Sequence, residues 1–160
     1  MLTLRPAVPT DTPLILQFIR ELAAYEREPQ AAVAREADIL RFAFGPQPLV
    51  RVVMAEWQDE PAGFALCFFN FSTWEGKPGL YLEDLFVRPA FRGKGIGKAL
   101  LQHLAAMAVQ EGCTRFVWQV LDWNTPAIEF YESQGAKVMR PWLTCRVDGN
   151  ALLTLAGGAG

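Results

Sequence analysis

The sequence has no surplus of basic residues: 15 lysines and arginines stand against 17 aspartates and glutamates, for a formal net charge of -2. Nucleic-acid affinity rests on Lys and Arg neutralising phosphates, so this balance argues against nucleic acid as the main partner. Long hydrophobic runs are also missing, and none approaches the roughly 18 residues that a membrane-spanning helix requires. The opening Met1-Leu2-Thr3-Leu4-Arg5-Pro6 lacks the basic-then-apolar layout of a secretory signal. The expectation is a cytoplasmic protein with no membrane association. Cysteine is scarce: Cys67, Cys113 and Cys145 are odd in number, far apart and set in apolar stretches. Neither a disulfide framework nor a zinc site is expected, no metal is called for, and all three read as reduced packing residues. The single histidine, His103, lies inside a long helical pattern away from every cysteine, which disfavours a Cys–His nucleophile.

What is present fits one globular domain. The 160 residues are 51% hydrophobic and 20% charged, enough to bury a core. The domain is expected over residues 1–156, with a flexible tail at 157–160. Leu2 to Arg5 alternates as a short strand, and Thr10 or Asp11 can cap a helix carrying Leu14, Ile15, Phe18, Ile19, Leu22 and Tyr25 at spacings of three and four. A second helix is predicted near Ala34 to Phe44. Strands follow at Leu49–Trp57, Ala62–Phe71 and Gly79–Val87, an antiparallel meander. Then come a helix from Ile96 to Glu111, a strand from Arg115 to Leu121, a helix from Thr125 to Gln134, and two last strands near Val138–Val147 and Ala151–Leu155.

Three segments carry chemistry. Arg92-Gly93-Lys94-Gly95-Ile96-Gly97, followed by Lys98, lies between a strand and a long helix, where free backbone N–H groups and the positive end of the helix dipole favour an anion. It is not a phosphate loop of the Walker type, because Arg92 and Ala99 stand where that motif needs Gly and Ser or Thr. The dinucleotide fingerprint also fails, since Lys98 takes the last small-residue position and the turn follows a late strand. A tight strand-to-helix turn alone would need one glycine at most. In Tyr81-Leu82-Glu83-Asp84-Leu85-Phe86-Val87, a two-residue period places one carboxylate on each face of an apolar strand. Either the two carboxylates pair with Arg88 or Arg92, or they face a cleft that receives a cation. The third segment is Asn124-Thr125-Pro126-Ala127-Ile128-Glu129-Phe130-Tyr131, with Asn124 and Tyr131 on one side of a helix. Read from composition alone, Phe130 and Tyr131 would be core aromatics.

Arg-x-x-Gly-x-Gly followed by Asn-x-x-Ala-x-x-Phe-Tyr-x-x-x-Gly resembles the two signatures of the GNAT acetyltransferase superfamily. With Arg5-Pro6-Ala7, Glu21 to Glu26, Tyr81 to Asp84 and Trp123-Asn124, the likeness covers nearly the whole chain and runs closest to the spermidine/spermine (diamine) and thialysine acetyltransferase branch. The resemblance implies an α/β (α+β) fold, with a mixed, mostly antiparallel sheet of about six to seven strands flanked by about four helices. It implies acetyl-CoA as donor, held by Leu85, Phe86 and Val87, by Arg92, Gly93, Lys94, Gly95, Ile96, Gly97 and Lys98, and by Asn124 and Tyr131. It implies Glu83 as base and Tyr131 as acid, with Glu26, Trp74, Glu83 and Asp84 around a small-molecule amine, and a homodimer. Ser72-Thr73 and Met139-Arg140-Pro141 replace acidic residues of the diamine enzymes, which points toward a shorter, lysine-like acceptor. Two rival expectations are a protein N-terminal or lysine acetyltransferase and a non-catalytic acyl-CoA sensor of the same fold.

Overall fold

A computed structural model describes residues 1–158 and divides the chain into two compact units, one spanning Met1–Leu121 and one beginning at Asp122. The first unit holds a five-stranded sheet in the order β1 (Leu2–Pro6), β2 (Arg51–Trp57), β3 (Glu60–Ser72), β4 (Lys77–Val87) and β5 (Arg115–Trp118). The first four strands pair antiparallel as the meander pattern requires, while β4 and β5 run parallel, because the helix α3 (Ile96–Gln110) carries the chain back between them. Two other helices, α1 (Thr12–Tyr25) and α2 (Glu36–Phe44), precede β2.

Apolar periodicity decides which faces meet. Ile15, Phe18 and Leu22 of α1 and Ile39 of α2 bury against Val52 and Met54 of β2, Phe64 and Leu66 of β3 and Phe86 of β4. Phe18 stacks on Phe64 with ring centroids 5.4 Å apart. The other set of strand residues, including Val53, Ala55, Ala65 and Cys67, is equally buried, and α3, which packs on β2 to β5, contributes Leu100, Leu101, Leu104 and Ala108. The α1 entrance differs from the expected cap. Asp11 occupies the cap position, but its carboxylate accepts from the Val8 N–H at 2.8 Å and from the Arg5 guanidinium at 2.8 and 2.9 Å. The carboxylate thus fastens β1 to the helix start, and Arg5 holds it below the usual carboxylate range.

The second unit contains α4 (Thr125–Ser133) and α5 (Gly149–Leu155). Here the structure corrects the sequence reading: among the described residues the sheet has five strands where six to seven were expected, and there are five α-helices where about four were expected. Ala151–Leu155 is helical. A five-residue apolar run has no periodicity that separates strand from helix, and Ala and Leu are the strongest helix formers. Val138–Val147 forms no strand, and every residue of it is exposed. Its chain turns where the Trp142 N–H donates to the Met139 carbonyl at 3.3 Å, next to Pro141, which has no N–H to give a ladder. The expected packing role of the cysteines holds for buried Cys67 and fails for exposed Cys145. Of the predicted tail, Gly157 and Gly158 donate to the Thr154 and Leu153 carbonyls at 3.0 and 2.9 Å, and residues 159 and 160 lie outside the described residues.

Candidate active site

The glycine-rich turn folds as its composition requires. Gly93 and Gly95 both have φ of 79°, in the left-handed region that residues with a Cβ avoid, and Gly95 caps α3 with no side chain engaged. The amides of Ile96, Gly97 and Lys98 open a 15-residue helix and have no carbonyl one turn earlier to bond. A Cβ built on Gly93, Gly95 or Gly97 would meet nothing within 4 Å, so the space in front of these amides is open. Two cations flank it. Arg92 donates from Nε to the Val87 carbonyl at 3.1 Å and lays its guanidinium 5.0 Å from the centre of the Tyr25 ring. Lys94 Nζ stands 5.2 Å from the centre of the Trp57 ring. These two aromatics escaped the sequence reading, where Tyr25 counted as part of a helix stripe and Trp57 as a strand residue. The open amides, the dipole and the cations together favour an anion.

The strand leading into this turn departs from the two-residue period. In the ladder Leu66 faces Asp84 while Cys67 faces Leu82, so Glu83 is an extra residue in a β-bulge. Leu82 and Phe86, which a regular strand would put on one face, pair with Cys67 and Phe64, which lie on opposite faces of β3. One carboxylate on each face of a regular strand is therefore replaced by a switch of face at Glu83. Asp84 lies across from Leu66, on the side covered by α1. It is half-buried, and its carboxyl is pushed up to about 7, by burial first and then by the charges of Glu83 and Glu26. Burial also raises Glu26, which directly follows α1, and burial together with Glu83 raises the Tyr81 hydroxyl. The ion-pair alternative for Glu83 and Asp84 is not realised. Arg88 reaches Glu21 at 3.0 Å, Arg92 takes the Tyr25 ring, and among the described residues none of Glu26, Glu83 and Asp84 forms a salt bridge.

A second consequence concerns the free edge of β4. Pairing with β5 covers only Gly79 to Leu82, so from Glu83 through Leu85, Phe86 and Val87 the strand has β3 on one side and, among the described residues, no strand on the other. Alternate N–H groups in that stretch point away from β3. The structure therefore brings Glu26, Glu83 and Asp84 together, and sets Leu85–Val87 directly before the Arg92–Lys98 turn. It leaves Trp74 apart. That indole is 85% exposed in the β3–β4 loop, before Lys77, which precedes Asp84 by about 20 Å of strand. In the second unit, the side-chain Oδ1 of Asn124 accepts from the Ala127 N–H at 3.4 Å and so caps α4, a role that its signature position had not suggested. Tyr131 is half-buried on α4, its ring centroid 5.6 Å from that of Phe130. Among the described residues no group of three or more His, Cys, Asp or Glu could hold a metal ion, and no helix is long and apolar enough to cross a membrane.

A mixed sheet thus has a bulged fourth strand running toward a glycine-rich helix start, beside a patch of carboxylates that form no salt bridge among the described residues. The chain belongs to the Acetyltransferase (GNAT) family, whose pattern it matches over residues 15–136, and is an acyl-CoA-dependent N-acetyltransferase of the thialysine and diamine acetyltransferase branch. It is 35% identical to the thialysine N-epsilon-acetyltransferase of Sus scrofa over 96% of both chains. It is 39% identical to the human spermidine/spermine N(1)-acetyltransferase-like protein 1, over 83% of this chain and 20% of that longer one. An integron cassette protein from the mobile metagenome of V. cholerae has the same fold, with a TM-score of 0.81 and 31% identity over 97% of both chains.

Proposed function

We propose that this enzyme moves the acetyl group of acetyl-CoA to the side-chain amine of a small cationic acceptor, with a lysine-like aminoalkyl compound preferred over a longer polyamine. The observation that carries the reading is the Asp84 carboxyl, pushed up to about 7 by burial and then by the charges of Glu83 and Glu26, with none of these three carboxylates in a salt bridge among the described residues. Such a set binds an ammonium group by ion pairing while giving up the proton that Asp84 holds at neutral pH. The Sus scrofa relative, a thialysine N-epsilon-acetyltransferase matched over 96% of both chains, favours the lysine-like acceptor.

An ammonium with a pKa of about 10.4 is more than a thousandfold protonated at pH 7, so the free amine costs about 5 kcal/mol to reach. Glu83, exposed at the bulge, takes that proton through water. The amine attacks the thioester in a ternary complex, and N–H groups of Leu85 to Val87 on the free edge of β4 hold the oxyanion. The thiolate leaves with a proton from Tyr131, the role that the family signature implies. Arg92 to Lys98 bind the donor diphosphate, and Asn124 contacts the pantetheine arm. No covalent enzyme intermediate is involved. The working form is a cytoplasmic homodimer, which light scattering of the purified protein reads directly.

The test is a turnover screen with acetyl-CoA, following thiol release, over thialysine, lysine, ornithine, putrescine, spermidine and aminoglycosides. A kcat/KM for a lysine-like amine at least tenfold above that for spermidine is expected. Turnover confined to peptide N-termini or protein lysines would overturn the small-amine reading, and CoA binding with no turnover of any amine would make the protein a sensor.

A further inference from the structure

Both cations of the Arg-Gly-Lys-Gly turn rest on aromatic rings from elsewhere in the first unit. Tyr25 is the last residue of α1, and Trp57 the last of β2. Trp57 shares a strand face with Val53 and Ala55, the face opposite Val52 and Met54, and so reaches the side from which α3 begins. The Lys94 ammonium lies 5.2 Å and the Arg92 guanidinium 5.0 Å from the two ring centres, within the range of a cation–π contact. Neither cation makes a salt bridge among the described residues, although the chain carries 17 carboxylate side chains. The distinction matters for an anion site. A carboxylate partner would hold the cation and cancel its charge, whereas a ring face holds it through the quadrupole and leaves the charge available. Arg92 commits only Nε, to the Val87 carbonyl, so the outer edge of its planar fork keeps the donors that grip a phosphate two at a time. Lys94 sits between two left-handed glycines, a backbone that gives its stem no neighbouring Cβ to lean on, and the Trp57 indole supplies an aromatic contact instead.

We propose that Tyr25 and Trp57 are positioning residues for the donor, their ring faces holding Arg92 and Lys94 beside the open amides of α3 without neutralising either charge. The inference rests on the reading of this turn as the diphosphate seat. Each ring acts through its cation: it removes side-chain freedom before the donor arrives, freedom that a long cationic chain would otherwise lose on binding. Arg92, Lys94 and Tyr25 are exposed and Trp57 is half-buried, and a cation–π contact at such a surface position corresponds to about two- to fivefold in affinity.

The experiment is calorimetric titration of the full chain with CoA, using Trp57→Leu, Trp57→Phe, Tyr25→Leu, Tyr25→Phe, Lys94→Met, Arg92→Ala and the pairs Trp57→Leu/Lys94→Met and Tyr25→Leu/Arg92→Ala, with circular dichroism to verify folding. Each Leu variant is expected to raise Kd about two- to fivefold, each Phe variant to stay within about twofold of the parent, and each Leu change to have no further effect once its cation is gone. If Arg92→Ala and Lys94→Met bind CoA like the parent, the donor reading itself falls. If those two weaken binding while the Leu variants do not, or the Leu variants weaken it equally in the cation-free backgrounds, the positioning role falls and the donor reading stands. A Phe variant that loses as much as its Leu counterpart also overturns the ring-face argument, even where a Leu variant fails to fold.

Discussion

Replacing Asp84 with Asn reads the acidic site through stability, with no acceptor required. Burial, then Glu83, then Glu26 lift this carboxyl from 3.8 to about 7. The native state therefore binds a proton more tightly than the unfolded chain does. Between those two values the native state carries the extra proton, so this group's contribution is most favourable below about pH 4, falls as pH rises toward 7 and then levels. The shift, about 7 minus 3.8, is about 3 pH units, and at 1.36 kcal/mol per unit it sets an upper bound of about 4 kcal/mol. Asp84 is half-buried and water still screens its neighbours, so an effect of about 1 to 3 kcal/mol is expected. Asn keeps the shape and cannot ionise. The Asp84→Asn variant should match the parent near pH 4 and exceed its stability by that amount at pH 8, a gain of a few degrees in Tm for a chain of this size. Urea unfolding of both proteins at low salt from pH 4 to 8.5 measures the difference. Parallel stability curves across that range would show that Asp84 ionises normally in the native state, and the argument for an acidic amine site would lose its main support.

Gly95→Val places a β-branched residue at φ 79° and fills the open space before the α3 amides; CoA affinity should fall at least tenfold by calorimetry, and an unchanged Kd would make the loop a mere turn. Tyr131→Phe deletes one hydroxyl and keeps the ring, so CoA binding should hold while kcat drops about a hundredfold, the lower end for a general acid because a thiolate leaves readily; a kcat within about threefold of the parent removes Tyr131 from the mechanism. Gly63→Ala would drive its Cβ into the Phe86 carbonyl oxygen of the neighbouring strand and should cost about 2 to 4 kcal/mol in chemical denaturation; a stability within 0.5 kcal/mol, roughly that of a neutral surface change, would show that the two strands can part there.

By itself the sequence determined the elements whose signals are local. The spacing of Ile15, Phe18 and Leu22 makes α1 amphipathic wherever it docks, and Gly93 and Gly95 mark a backbone with positive φ because few other residues tolerate it. The acidic pair at 83 and 84 and the cations at 92 and 94 were legible as candidates for the same reason: charge in an apolar strand, or beside a helix start, is costly without a purpose. Tertiary structure alone decided what those groups face. The bulge at Glu83 is a property of register between β3 and β4, since an extra residue exists only relative to a partner strand, and it replaces the alternation that β4 shows in isolation. The end of the β4–β5 ladder at Leu82, which frees the edge from Glu83 to Val87, depends on where α3 delivers the following strand. Tyr25 and Trp57 lie 67 and 37 residues before the cations they hold, counting 92 minus 25 and 94 minus 57, and no local pattern encodes a contact over that separation. Ala151–Leu155 shows the same limit from the other side: a short apolar run takes its conformation from the surface it meets, and sequence periodicity cannot supply that surface.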